Sequence, residues 1–372
     1  MAAACANAST GCSACPTGGS AWSMTMLTAR ASIAATSPST IPPARRCPMA
    51  PTDLPEDTAD RLALYRAASR APSTRRAYRS DWTHFQAWCT EVGQPALPTS
   101  VDAVCQYLAA HAGTLRATTL DRRLAALAAY HRAAGHAFDP GNHEIRAVLS
   151  GIRRVHGARP QGKEALTPDD MRAMVAGLPR SLAGARDRAM LLLGFAGGFR
   201  RSELAALEIS MLDFRAGGLV VHLPGGKTDQ DGSASLIKGI ACASDDGPCP
   251  VAAVKDWVMR AHLSEGPLFR PIDRFGRIQE AFLRPRAVAR IVCKAAGWAA
   301  EARGLSGRRA RAFVASLGAH SLRAGFASSA AMAGAPEWAI QRQTGHQRRQ
   351  TLWQYIRPAD ALATSRMART GL

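Results

Sequence analysis

The chain is short of acid. Its 47 lysines and arginines face only 28 aspartates and glutamates, a formal charge of +19, and residues 1–52 contain no Asp or Glu at all. That balance points to a polyanionic partner. Long apolar runs are lacking too: none approaches the roughly 18 residues a membrane span needs, and no basic amphipathic helix dominates, which sets a membrane partner aside. The cysteines form no disulfide framework. Cys89, Cys105, Cys242, Cys249 and Cys293 fit a reducing cytoplasm. Cys12 and Cys15 make a CxxC with no second pair at metal-ligand spacing, so no metal and no cofactor is expected. A phosphate-binding loop is also missing. "GGKT" ends at Thr228, but position 221 is Val where that motif needs Gly, and the segment leads into a β-hairpin instead of a helix.

What is present falls into segments. Residues 1–55 are rich in Ala, Ser, Thr and Pro and are expected to form a disordered, low-complexity tail. An organellar transit peptide shares this composition; an upstream translation start in a GC-rich gene, with Met49 as the true start, is the favoured reading. From 56 to 156 the pattern is helical. Tyr78, Trp82, Phe85 and Cys89 form one apolar stripe; Val101, Val104, Cys105 and Leu108 a second; Leu120, Leu124, Leu127 and Ala128 a third; Ile145, Val148, Leu149 and Ile152 a fourth. Four such stripes predict a helical bundle. Residues 157–166 read as a linker, and Thr167, Pro168 and Asp170 as the capped start of a second domain over 167–358. The fold expected is mainly α with a small β-sheet or hairpin.

Within the second domain, "GFAGGFRRSEL" places Arg200 at a turn after Gly197 and Gly198, with Glu203 near enough to hold it. "GGLVVHLPGGKTDQDGSASLIKGI" reads as two β-runs joined by a turn, with Lys227 near its tip and Lys238 as a rival lysine. In "AHSLRAGF", His320 and Arg323 are three apart and share one helix face, where a guanidinium fork and an imidazole suit an anion. Glu337–Gln343 should form a helix after Pro336, with "TGH" delivering His346 from its end. Tyr355 then lies late in a short helix stopped before Pro358. A tyrosine beside such groups is a candidate nucleophile, since its phenol needs nearby positive charge to become useful at pH 7. Taken singly, each of these residues is more often structural.

Taken together, "GFRRSEL", "GGKT", "HSLR", "TGH" and "QYIRP" resemble the tyrosine recombinase (phage integrase) family, from about residue 56 to the end. The resemblance implies a SAM-like core-binding bundle followed by a mixed α+β catalytic domain that close around double-stranded DNA. It implies that Tyr355 attacks a phosphodiester to give a 3′-phosphotyrosine, and that Arg200, Arg323 and His346 hold the phosphate. Lys227 would protonate the leaving oxygen while His320 assists the nucleophile. Backbone contacts are expected from Arg75, Arg76, Arg79, Arg122, Arg123, Arg153, Arg154, Arg159, Lys163, Arg308 and Arg309, with Arg303 and Arg311 in the same cluster. Residues 359–372 would form a tail helix docking on a neighbour in a homo-tetramer on two DNA sites. The expected setting is the nucleoid in a bacterial cytoplasm. A type IB topoisomerase and a catalytically silent DNA-binding module are the competing readings.

Overall fold

The computed structural model describes residues 57–157, 162–224, 236–243, 247–346, 349–350, 352–353 and 355. The expected low-complexity tail, Arg159, Lys227 and the expected tail helix at 359–372 lie outside the described residues. The chain divides into two compact units, Met1–Ala71 and Pro72–Leu372. The first contributes α1 (Thr58–Ala68), capped by the Asp57 carboxylate, which accepts from the amides of Ala59 and Asp60 at 3.0 and 3.1 Å.

The second unit opens with α2 (Pro72–Glu91), α3 (Val101–Ala110), α4 (Ala117–Ala133) and α5 (His143–His156). Their starts are chemically marked. Pro72 has no first-turn amide to leave unpaired, while Ser100 and Asn142 accept from the amides of Ala103 and Glu144 at 3.1 and 2.9 Å. The four expected stripes meet in one core that includes Phe85, Val104, Leu108, Leu120, Leu127, Ile145 and Leu149. Buried His131 closes it: Nδ1 donates to the Leu127 carbonyl at 2.9 Å and Nε2 accepts from the Thr99 amide at 3.1 Å.

One expected DNA contact is misplaced. Arg123 is buried, and its Nη1 donates to the Tyr107 hydroxyl at 2.5 Å. The reason is helical geometry: position 123 lies three after Leu120 and four before Leu127, inside the apolar stripe. Its neighbour Arg122 faces outward and is held by Asp81 through two bonds of 2.8 and 2.9 Å. Arg153 is similarly paired with Asp121, at 2.7 Å. Arg75, Arg76, Arg79 and Arg154 are exposed.

The chain continues through α6 (Pro168–Ala176), α7 (Leu182–Ala196) and α8 (Arg201–Ala205), then strands β1 (Leu212–Arg215), β2 (Gly218–Leu223) and β3 (Leu236–Ala241). After these come α9 (Pro250–Arg260), α10 (Pro285–Ala302), α11 (Gly307–Ser316), α12 (Ala319–Met332) and α13 (Glu337–Thr344). The sheet is antiparallel in the order β1-β2-β3. β2 and β3 are the expected hairpin. β1 adds a third strand that the sequence pattern did not single out, because only four residues precede the tight turn at Ala216 and Gly217. Helix α7 is apolar nearly all round, with Met190, Leu191 and Leu193 fully buried, as suits a central helix packed against α9 and α12. No described helix is long and apolar enough to cross a membrane.

The start of α6 carries a stability device. Thr167 and Asp170 form the expected capping box, and the almost fully buried Asp170 carboxylate also accepts from Arg303 at 2.6 and 2.7 Å. Arg303, expected in a DNA-facing cluster, therefore serves as a strut, with its guanidinium 4.5 Å from the centroid of Phe313. Asp170→Ala is expected to lower stability by about 1–2 kcal/mol, since it opens the cap and leaves the partly exposed Arg303 with only Glu164, 3.7 Å away, as its ion partner. A urea midpoint unchanged from wild type would show that the clamp is dispensable.

Candidate active site

Four segments converge. Helix α7 ends at Gly197, and Gly198 takes a left-handed φ of 54°, so the chain reverses and presents Arg200 just before α8. Glu203 holds it twice: one carboxylate oxygen accepts from the Arg200 amide at 2.9 Å and the other from Nη1 at 2.5 Å. Arg200 Nη2 donates to the carbonyl of Gly345 at 2.8 Å, which ties it to the segment carrying His346. Gly345 caps α13 with a φ of 65°, and an added Cβ would lie 3.0 Å from Leu236, so the turn favours glycine on both counts.

Helix α12 supplies His320 and Arg323. Arg323 is buried, and its Nη1 donates to the carbonyl of Gly198 at 2.8 Å, while Nη2 has no partner among the described residues. An unpaired buried donor costs about 1–3 kcal/mol, so Arg323 Nη2 is an open demand for an acceptor. His320 Nε2 lies 2.5 Å from the hydroxyl of Tyr355. The His346 ring stacks near the Tyr355 ring, with centroids 5.8 Å apart. Leu352 is fully buried in a small cluster with Ala327 and Ile340, and Ser328 donates to the Tyr355 carbonyl at 3.0 Å; together they seat the tyrosine.

Arg200, Glu203, His320, Arg323, His346 and Tyr355 thus form one polar cluster, as their sequence boxes lead one to expect. Residues 62–137 match the family model described as phage integrase, N-terminal SAM-like domain. An integrase/recombinase xerD homolog from Selenomonas ruminantium is 35% identical over 296 residues, covering 77% of this chain and 82% of that protein. The chain belongs to the tyrosine recombinase family. The fold agrees with two solved structures. One is XerH site-specific recombinase bound to palindromic difH substrate, a post-cleavage complex, with TM-score 0.50 and 17% identity over 72% of this chain and 70% of that one. The other is a lambda integrase dimer bound to a COC′ core site, with TM-score 0.51 and 17% identity over 80% of this chain and 93% of that one.

The recombinase holds its imidazoles neutral. Burial, and then the charges of Arg323 and Arg200, lower His320 below the usual histidine range and push His346 down to about 3. Tyr355 departs from the sequence expectation. Burial raises its phenol above the ordinary value, and the nearby Arg323 charge offsets this only in part. A protonated phenol and a neutral imidazole thus share a hydrogen bond of 2.5 Å, in which the phenol is the donor when the ring carries its own proton on Nδ1. Because folded His346 titrates about 3 against an ordinary 6.5, the folded protein binds fewer protons than the unfolded chain between those values. Its contribution to stability is full above 6.5 and is lost as the pH falls toward 3. The melting temperature of DNA-free protein should fall over this window, and fall less for His346→Leu. Identical pH dependence in the two proteins would remove His346 from this account.

Two site neighbours, Thr344 and Gln341, were not singled out by the sequence pattern. Thr344 Oγ1 donates to the Ile340 carbonyl at 2.6 Å and lies 2.8 Å from His346 Nδ1, orienting the ring. Gln341 steadies the same turn by donating to the His346 carbonyl at 2.8 Å. The signal for Thr344 was available, since it sits inside the "TGH" box. Lys238, the rival lysine, is fully buried on β3. Of the remaining expected DNA contacts, Arg308, Arg309 and Arg311 are exposed on α11, and Lys163 donates to the Ala315 carbonyl at 2.7 Å.

Proposed function

We propose that this site-specific recombinase cuts and rejoins duplex DNA through a covalent bond to Tyr355. The observation that carries the reading is the Tyr355 hydroxyl, bonded to His320 beside an Arg323 whose Nη2 lacks an acceptor among the described residues. As Tyr355 Oη bonds to phosphorus, the bond to the 5′-oxygen breaks and a 3′-phosphotyrosine remains. The phenolic proton passes to His320, and Lys227 supplies one to the leaving 5′-oxygen. Arg200 and Arg323 bind the non-bridging oxygens as charge builds there. His346 joins them once the bound phosphate raises its affinity for a proton. A 5′-hydroxyl from a second strand reverses the step. Phosphodiester bonds are conserved, so no step as written calls for ATP or a metal.

The exposed arginines Arg75, Arg76, Arg79, Arg154, Arg308 and Arg309 would track phosphates, with Arg159 and Lys163 in the linker and the half-exposed Arg122 and Arg153 adding to them. Assembly would be a homo-tetramer on two sites, with residues 359–372 docked on a neighbour. The reaction would serve integration, excision or resolution of bacterial DNA in the cytoplasm.

Sequences recovered from DNA covalently attached to the protein in cells would give the site, and a nicked suicide duplex carrying it should trap the wild type. A Lys227→Ala variant should be rescued by a 5′-bridging phosphorothiolate, because a thiolate leaves without a proton. Plasmid relaxation with no exchange between two sites would replace recombination by a topoisomerase.

A further inference from the structure

Strand β3 carries a lysine in an apolar row. Lys238 shares its inward face with Leu236 and Ile240 and pairs across the sheet with Val221. Its Nζ donates to the carbonyl of Gly197 at 2.8 Å and to the carbonyl of Gln343, and it lies 4.7 Å from the centroid of the Phe199 ring. Those two carbonyls belong to the ends of α7 and α13, where unpaired carbonyls and the negative ends of two helix dipoles gather. The end of α7 leads through two glycines to Arg200, and the end of α13 leads through Thr344 and Gly345 to His346. Gln343 adds a second tie by donating to the Gly239 carbonyl of β3 at 2.8 Å.

We infer that Lys238 is a positioning residue of the phosphate site: its amine joins the ends of α7 and α13, fixing Arg200 against His346, and places a third cation behind them. This rests on the reading of Arg200, Arg323 and His346 as the phosphate-binding groups and deepens it. The amine has no exposed surface and two backbone acceptors, which is the wrong setting for a proton donor to a leaving group.

Its charge is conditional. Burial lowers Lys238 to about 7, with Glu203 on α8 opposing the shift and Arg323 on α12 and Arg200 reinforcing it; His346 faces the same charge. A bound phosphodiester adds a negative charge to this group of cations and favours the protonated amine. Binding of DNA therefore takes up a proton near neutral pH.

The chain has only five lysines, Lys163, Lys227, Lys238, Lys255 and Lys294, so the carbon next to each amine can be followed by NMR in the full-length protein. Lys238 should titrate near 7 without DNA and at higher pH with the suicide duplex bound. Lys238→Met should cleave that duplex roughly 10²-fold more slowly in a single turnover, the scale of a small misplacement of reacting groups. Its affinity for the duplex should change little, its rate should lose the pH dependence near neutrality, and a 5′-bridging phosphorothiolate should not rescue it. Full rescue by that substrate would make Lys238 the acid and overturn the inference, as would a wild-type rate and pH profile in Lys238→Met. Should that variant not fold, the NMR decides: no lysine titrating near neutrality, or none that responds to DNA, overturns the inference. Failure of wild-type Tyr355 to trap DNA would instead overturn the reading of the site beneath it.

Discussion

Tyr355→Phe should abolish covalent trapping of a suicide duplex, a loss on the order of 10⁴–10⁶-fold in cleavage rate, while leaving duplex binding nearly unchanged. The substitution removes one oxygen and little else. The ring keeps its place beside His346, and the backbone keeps its bond from Ser328, because both depend on the ring and main chain and not on the hydroxyl. One hydrogen bond to His320 is lost, worth about 0.5–1.5 kcal/mol of stability, so the variant should melt close to the wild type. Denaturing gels with end-labelled DNA read the outcome directly. Trapping by the phenylalanine variant at the wild-type rate would sink the nucleophile assignment.

Arg323→Lys is expected to slow cleavage by about 10²–10³-fold without lowering the stability of the DNA-free protein. The two halves of this expectation have one cause. Arg323 is buried beside the Arg200 charge, which together push its guanidinium down to about 10, and its Nη2 has no partner among the described residues. In the DNA-free protein that arrangement is a liability, since a buried donor is unpaired and two cations repel. With a phosphate in place the same Nη2 gains an acceptor while Nη1 keeps the Gly198 carbonyl, and the fork presents its donors at a fixed angle. A lysine keeps the charge and loses the fork. Single-turnover cleavage and thermal melting measured on the same preparation test both halves. Cleavage within a few-fold of wild type would remove Arg323 from the phosphate site, and a large drop in melting temperature would show that its burial is structural.

Much of this was legible because the signals are local. Periodicity over 82–89, 120–128 and 145–152 marks helix faces that must be buried somewhere, and the Thr167–Asp170 cap marks where a helix begins. The active-site boxes are legible for the same reason: a histidine and an arginine three apart share a face in any helix. Arg123 shows the limit. Read as one of a basic pair it belongs on the surface, yet its register places it in the stripe, where Tyr107 accepts its bond. The Arg303 clamp was equally hidden, because its partner Asp170 lies 133 positions earlier. The Tyr355 phenol illustrates a matter of sign. Nearby arginines argue for a lowered value, but burial is the larger effect, and burial is not written in a sequence.

The sequence by itself therefore determined the helical framework, the hairpin, the basic character and the set of reactive side chains, since these follow from residue types at spacings of a few positions. Only the tertiary structure decided which of these groups are charged, unpaired or bonded to one another. Arg200 meets the Gly345 carbonyl across 145 positions, and Lys238 meets the carbonyl of Gln343 across 105. Contacts over such separations arise from how helices and strands pack, and the desolvation that sets proton affinities comes from the same packing.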